Sequence, residues 1–196
     1  MKVILINKRR LGVSIIIIGL MFTMFGMQKF FKDEINYTSL MQNNINSLKE
    51  YVIMKGEATY HLPEEWVTKE EKFPGEEVIY HNNFQSKDLK IHGFVQVWNL
   101  KEDLINFLKK SEKVSKEQNT ILDYKLQPIK IGKDEWYFIE YIIENSYGVK
   151  YKSYEYFKKN DDKLIRFSFF VLEDNFKENM PTVFKTIIQT FKHNLS

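Results

Sequence analysis

A chain of 196 residues, 43% apolar and 15% aromatic, is long enough for one domain with a proper core plus an accessory segment. It contains no cysteine, which excludes disulfides, thiolate metal sites, cysteine nucleophiles and a lipidated N-terminal Cys. The formal charge of +3 sits at the front: Lys2, Lys8, Arg9, Arg10, Lys29 and Lys32 precede the first acid, Asp33, leaving 23 basic against 26 acidic residues beyond it. No basic stripe remains to neutralise phosphates, so nucleic acid is excluded as a partner. Lysine outnumbers arginine 26 to 3, a bias that points to an AT-rich bacterial coding genome and makes each arginine informative.

Residues 1–10 read as a short cytoplasmic N-terminus. Residues 11–27 carry no charge and, at about 1.5 Å per helical residue, span roughly 25 Å. With snorkelling from Arg10, Lys29 and Lys32, residues 11–31 are expected to form a transmembrane signal anchor. Cleavage wants small residues at −3 and −1, and the one nearby small −1 candidate, Gly26, has Met24 at −3, so an uncleaved anchor fits better than a signal peptide. The basic N-terminus predicts the cytoplasmic side for it and an extracytoplasmic domain for the rest, at the cell membrane.

Residues 32–55 are expected to form a helical stalk, because Met41, Ile45, Leu48 and Val52 step by four, three and four. Gly12, Gly19 and Gly26 recur every seven residues in the anchor, so anchor and stalk together offer a homodimer seam; the alternatives are that glycine is simply common in membrane helices and that the stalk seam docks on the domain.

The domain proper is expected over 56–196. Strands are predicted at 57–61, 76–81 and 89–98, the last alternating with Leu89, Ile91, Val95 and Val97 on one face. Residues 82–88 read as the turn between the second and third. Asn99 is expected to cap a helix whose buried stripe is Leu100, Leu104, Phe107 and Leu108, with Glu102 in capping-box register. Residues 121–131 read as an extended segment that Pro128 places at a sheet edge or a break. Three alternating strands follow at 135–144, 147–159 and 163–172, joined tightly enough for an antiparallel meander. A helix opening at Asn179-Met180-Pro181 closes the chain with Phe184, Ile187, Ile188, Phe191 and Leu195 on its apolar face.

Helices packed on an antiparallel sheet make an α+β architecture. Aromatics fall on both faces of the meander: Trp136 and Phe138 on one side, Tyr137 and Tyr141 on the other. Both faces are therefore expected to be covered, making His92, Phe94, Gln96 and Trp98 a second packed face.

The leading "YHLPEEW", the central antiparallel sheet and the closing "FSFFVLEDNF…FKTIIQTFK" resemble the PsbP-like superfamily of α/β/α sandwiches, over roughly 57–194. That superfamily includes photosystem extrinsic subunits, DcrB-type envelope proteins and a Ran-binding import factor. The resemblance implies a fold and a habit of binding proteins, supplies no catalytic residues, and does not bring photosynthesis with it.

The sequence holds no phosphate-cradling glycine loop, no His-Glu-x-x-His, no nucleophile elbow and no calcium loop, and no cofactor is implied. His61, His81 and His92 lie on three early strands. If His81 and His92 face each other across the 82–88 turn, with Glu77 nearby, they form the one candidate metal set, although the spacing matches no ligand signature. Arg166, the domain's single arginine, and Trp98 are the candidates for ligand or partner contact; the simpler readings are an ion pair, with Glu140 as partner, and a packed face. "YKSYEYFKK" interleaves Tyr and Lys, as in sugar or single-strand binders, but fits better as a strand with one packed and one solvated face.

The sequence therefore reads as a membrane-anchored extracytoplasmic interaction or binding module, not an enzyme, whose partner is another envelope protein. The alternative is a binder of a small ligand (lipid, metal or cell-wall fragment) in a pocket between sheet and helix.

Overall fold

The computed structural model describes residues 38–41, 45–88 and 90–193. Seven strands form one antiparallel sheet: β3 (Val67–Glu70), β4 (Val78–Gln85), β5 (Ile91–Asn99), β6 (Thr120–Ile131), β7 (Asp134–Glu144), β8 (Lys150–Asn160) and β9 (Lys163–Leu172). Their spatial order is β3-β4-β5-β9-β8-β7-β6. A smaller sheet of β1 (Leu48–Ile53), β2 (Ala58–Pro63) and β10 (Lys192–His193) has β2 at its centre. Two helices pack on the large sheet, α1 (Leu104–Gln118), between β5 and β6, and α2 (Met180–Gln189), after β9, and residues 38–41 are helical as well.

The period-2 pattern of each long strand sends alternate side chains to opposite faces. One face is the main core. Val95 and Val97 of β5, Ile165, Phe167 and Phe169 of β9, and Tyr154 and Tyr156 of β8 pack against Val183, Phe184 and Ile187 of α2 and against Tyr60 and Leu62 of β2. Phe169 stacks on Phe184 with ring centroids 4.4 Å apart. On the opposite face Leu104 and Leu108 of α1 cover Ile139, Phe157 and Leu164. Both faces carry a helix, as the aromatic pattern predicts, although α1 covers only part of its face, and Pro128 has its edge position, on β6 opposite Tyr137.

Four local readings are corrected. The seam over 41–52 does not run on as a helix: Leu48–Ile53 is a strand paired along its whole length with β2. Tyr51, Val52 and Ile53 favour extended backbone, Ile53 is buried, and Tyr51 stacks on Tyr60 at 5.2 Å, while Met41 and Val52 are exposed. The domain therefore takes in at least residues 45–55, with Ile45 itself in the core. Asn99 does not cap α1. It ends β5, where its side chain donates to the Glu76 carbonyl and accepts from Lys163, and the cap is Asp103, whose carboxylate accepts from Asn106 N at 3.0 Å. β4 runs on through Asn82–Gln85, where a turn is expected, because Trp66 and Phe169 pack on Phe84 and draw it into the core. β8 has no solvated face over 153–157, since α1 and α2 cover opposite sides of it.

The predicted anchor, 11–31, lies outside the described residues. Among the described residues no helix is long and apolar enough to cross a membrane.

Candidate binding face

The face that carries α1 is only partly covered by it. Register across five strands lays its side chains out in rungs. One runs His81–Gln96–Arg166–Phe157–Tyr137, the next Asn83–Phe94–Ser168–Glu155–Ile139, and the third Gln85–His92–Phe170–Ser153–Tyr141. Helix α1 reaches the Phe157, Ile139 and Tyr141 ends of these rungs and leaves the β4–β5–β9 ends open.

The uncovered part is a trough of about 590 Å³ lined by Val67, Gln85, His92, Phe94, Phe170, Tyr151 and Ile143 among others. It is built from aromatic faces. His92 stacks on Phe170 at 5.6 Å and meets Tyr151 edge-on at 5.7 Å, and Phe94 lies 5.9 Å from Phe170. Burial against these rings holds the His92 imidazole below its ordinary pKa. Lys69, the cation on its lining, is taken up by Glu71 at 2.8 Å. The trough is apolar, open and nearly without charge, a size and character that suit a bound apolar group.

A hydrogen-bond chain closes its inner end. Trp98 Nε1 can only donate, and does so to Gln96 Oε1 at 3.0 Å, which orients the amide. Gln96 Nε2 then donates to His81 Nδ1 at 2.8 Å, so His81 Nε2 donates to Asn83 Oδ1 at 2.9 Å. His81 is thereby a structural residue, braced by Phe73 and Phe94.

Arg166 stands in the middle of the face. Its Nε and Nη2 both reach Glu155 Oε2 at 2.7 Å, and Ser168 Oγ donates to the same oxygen at 2.9 Å. Tyr141 OH donates to the other, Oε1, at 2.6 Å. Burial, and then the neighbouring Glu155 carboxylate, push the Tyr141 phenol up, so it stays a donor. The guanidinium carbon lies 4.9 and 5.4 Å from the ring centroids of Phe94 and Phe157.

The sequence-level candidates therefore separate. Arg166 makes an ion pair, but with Glu155. Glu140 is in register with Tyr154, points to the α2 face and accepts from the Tyr154 hydroxyl at 2.9 Å. Trp98 packs against Phe107 under α1. The three histidines do not converge. His81 is opposite Gln96 and His92 opposite Gln85, while His61 lies on β2 in the other sheet, 3.7 Å from Glu50. No group of three His, Asp or Glu able to hold a metal occurs among the described residues. The expected second packed face is half right: Gln96 and Trp98 are covered, whereas His92 and Phe94 line the trough. Phe170 and Tyr151, its other rings, were not singled out from the sequence. Their signal was present as aromatics on the same parity as Arg166 and Glu155.

No protein-family model and no curated protein sequence matches the chain. Solved structures do. The chain is similar to cyanobacterial PsbP (CyanoP) from Synechocystis sp. PCC 6803, at 17% identity and a TM-score of 0.58, over 75% of this chain and 92% of that one. It is also similar to a crystal structure from Bacteroides thetaiotaomicron VPI-5482, at 13% identity and a TM-score of 0.52, over 76% of this chain and 49% of that one. The chain thus has a PsbP-like fold, as its resemblance implied.

Proposed function

We propose that this chain is a membrane-anchored, extracytoplasmic protein-interaction module without catalytic activity, and that its partner, another envelope protein, seats an extended apolar segment in the trough. The observation that carries this reading is the trough itself: open, aromatic and nearly free of charge on an otherwise covered sheet. β3 adds a second support. It is the outer strand of the sheet, and Val67, which is 68% exposed, stands on the trough's rim. A partner strand added to that edge would continue the sheet beside the trough and bring the rest of the partner chain within reach of its aromatic lining. Membrane attachment rests on the uncharged stretch 11–27 and its flanking cations.

Photo-crosslinking of the full-length protein in its own membrane tests the assignment. A benzophenone amino acid placed at Tyr151 or Phe170 is expected to give one stoichiometric protein adduct. The same group at Tyr147, 89% exposed but outside the trough, should not. Adducts of equal yield at Tyr147, or none from the trough positions, would overturn the reading.

A further inference from the structure

A second cavity, of about 380 Å³, lies under α1, on the far side of Arg166 from the trough. The inward stripe of α1 starts as Leu104 and Leu108, both buried in the covering core. One turn later, at the same helical spacing, it continues as Ser111 and Ser115, which line the cavity. Leucine at those positions would reach down toward the sheet; serine leaves the space open and presents hydroxyls to it. The sheet side of the cavity is Ile139, Tyr141 and Phe157 around Arg166 and Glu155.

The charged pair in this wall is arranged unlike a simple structural bridge. Both oxygens of Glu155 are engaged within the protein, through Tyr141, Ser168 and two nitrogens of Arg166. These contacts, with the Phe94 and Phe157 rings 4.9 and 5.4 Å from its central carbon, hold the guanidinium in place. Its remaining nitrogen, Nη1, has no hydrogen-bond partner among the described residues, and the Arg166 side chain keeps 26% of its surface accessible. A cavity that combines apolar walls (Phe107, Leu108, Ile139, Phe157) with convergent polar groups, one a pre-oriented donor, has the make-up of a small-molecule site.

The charges narrow the ligand. Glu155 cancels Arg166, and the rim cations and acids are paired as well, Lys110 with Glu102 and Lys116 with Glu112. A ligand anion would meet Glu155 behind the arginine, and a ligand cation would meet the arginine itself. We propose that the cleft between α1 and the sheet is a binding site separate from the trough, taking a small uncharged ring compound whose carbonyl oxygen accepts from Arg166. The ring packs among Phe107, Ile139 and Phe157, and Ser111 and Ser115 supply the rest of its polar contact.

Three fluorinated probes of one shape and different charge test this on the full-length protein in detergent micelles. They are 4-fluorobenzamide, 4-fluorobenzoate and 4-fluorobenzylamine, read by fluorine line broadening against empty micelles. The amide is expected to bind, and each charged probe at least tenfold more weakly. Ser111→Leu, which fills the cavity, should abolish the broadening while leaving the thermal midpoint unchanged or higher. Ser115→Leu serves the same purpose should the first variant misfold. Phe170→Ser in the trough should leave amide binding as it is. The proposal fails if the amide does not bind, if benzoate or benzylamine matches it, if both filled variants still bind it, or if Phe170→Ser removes it.

Discussion

Arg166 and Glu155 sit on neighbouring strands, displaced by one rung, and meet through two guanidinium nitrogens on one carboxylate oxygen, each at 2.7 Å. Glu155 is 3% exposed, so its charge is held by hydrogen bonds and by the arginine, with almost no water. Removing one member of such a pair leaves the other desolvated and uncompensated, which costs more than the pair itself is worth. Glu155→Ala is expected to lower unfolding free energy by about 2–4 kcal/mol, below the deepest cases because Arg166 reaches solvent. The double variant Glu155→Leu, Arg166→Met should recover much of that loss. Urea titration followed by tryptophan fluorescence reads both, and a double variant no more stable than the sum of the single losses would show that the two residues are not coupled.

Gly93 is required by a close approach of β5 to β9. A Cβ built there would lie 1.9 Å from the Ser168 carbonyl oxygen and 2.7 Å from the Phe84 ring. The ring could turn aside, but the carbonyl belongs to a central strand and cannot move without breaking its ladder. Gly93→Ala is expected to cost about 3 kcal/mol, the upper end of overpacking penalties. The check is its urea midpoint against wild type, where a loss under about 1 kcal/mol would show that the strands can separate at low cost.

The helix cap gives a smaller and cleaner effect. Asp103 accepts from Asn106 N and stands at the N-terminus of α1, so it supplies both a capping bond and a favourable charge for the helix dipole. Asp103→Ala should cost about 1 kcal/mol and Asp103→Asn much less, because the amide oxygen still caps. Asn99→Ala tests the rejected cap: it should act through the Glu76 and Lys163 contacts and leave exchange protection of the first turn of α1 unchanged.

The long strands and both helices were legible because each carries a sustained period, and β9 has the bounds its alternation predicts. The strands missed are short or locally ambiguous. β3 has four residues, three of them polar or charged, and exists because Thr68 and its neighbours pair with β4. β1 has spacing that fits a helix equally well, and its pairing with β2 decides the matter. The site was legible by parity alone. Alternation puts His92, Phe94 and Arg166 on known faces, but which part of that face a helix covers depends on where α1 lands. Choosing Glu155 over Glu140 for Arg166 required the register of β8 against β9, which no single strand contains.

His92 gives the trough a pH signature. Burial against aromatic rings lowers its folded pKa, whereas the unfolded chain titrates near 6.5. Above that pH both states are neutral and the residue contributes no slope. As pH falls through about 6.5, the unfolded chain takes up a proton that the folded trough resists, so stability declines until pH passes below the folded value. His92→Phe keeps a ring on Phe170 and removes the titration. Between pH 7.5 and 5.5 wild type should therefore lose more unfolding free energy than the variant, with the other histidines common to both. The same difference should appear in partner capture, since a partner seated on His92 buries it further and disfavours its cation. Equal losses in the two proteins would mean that the imbalance lies elsewhere and that the His92 edge of the trough stays wet.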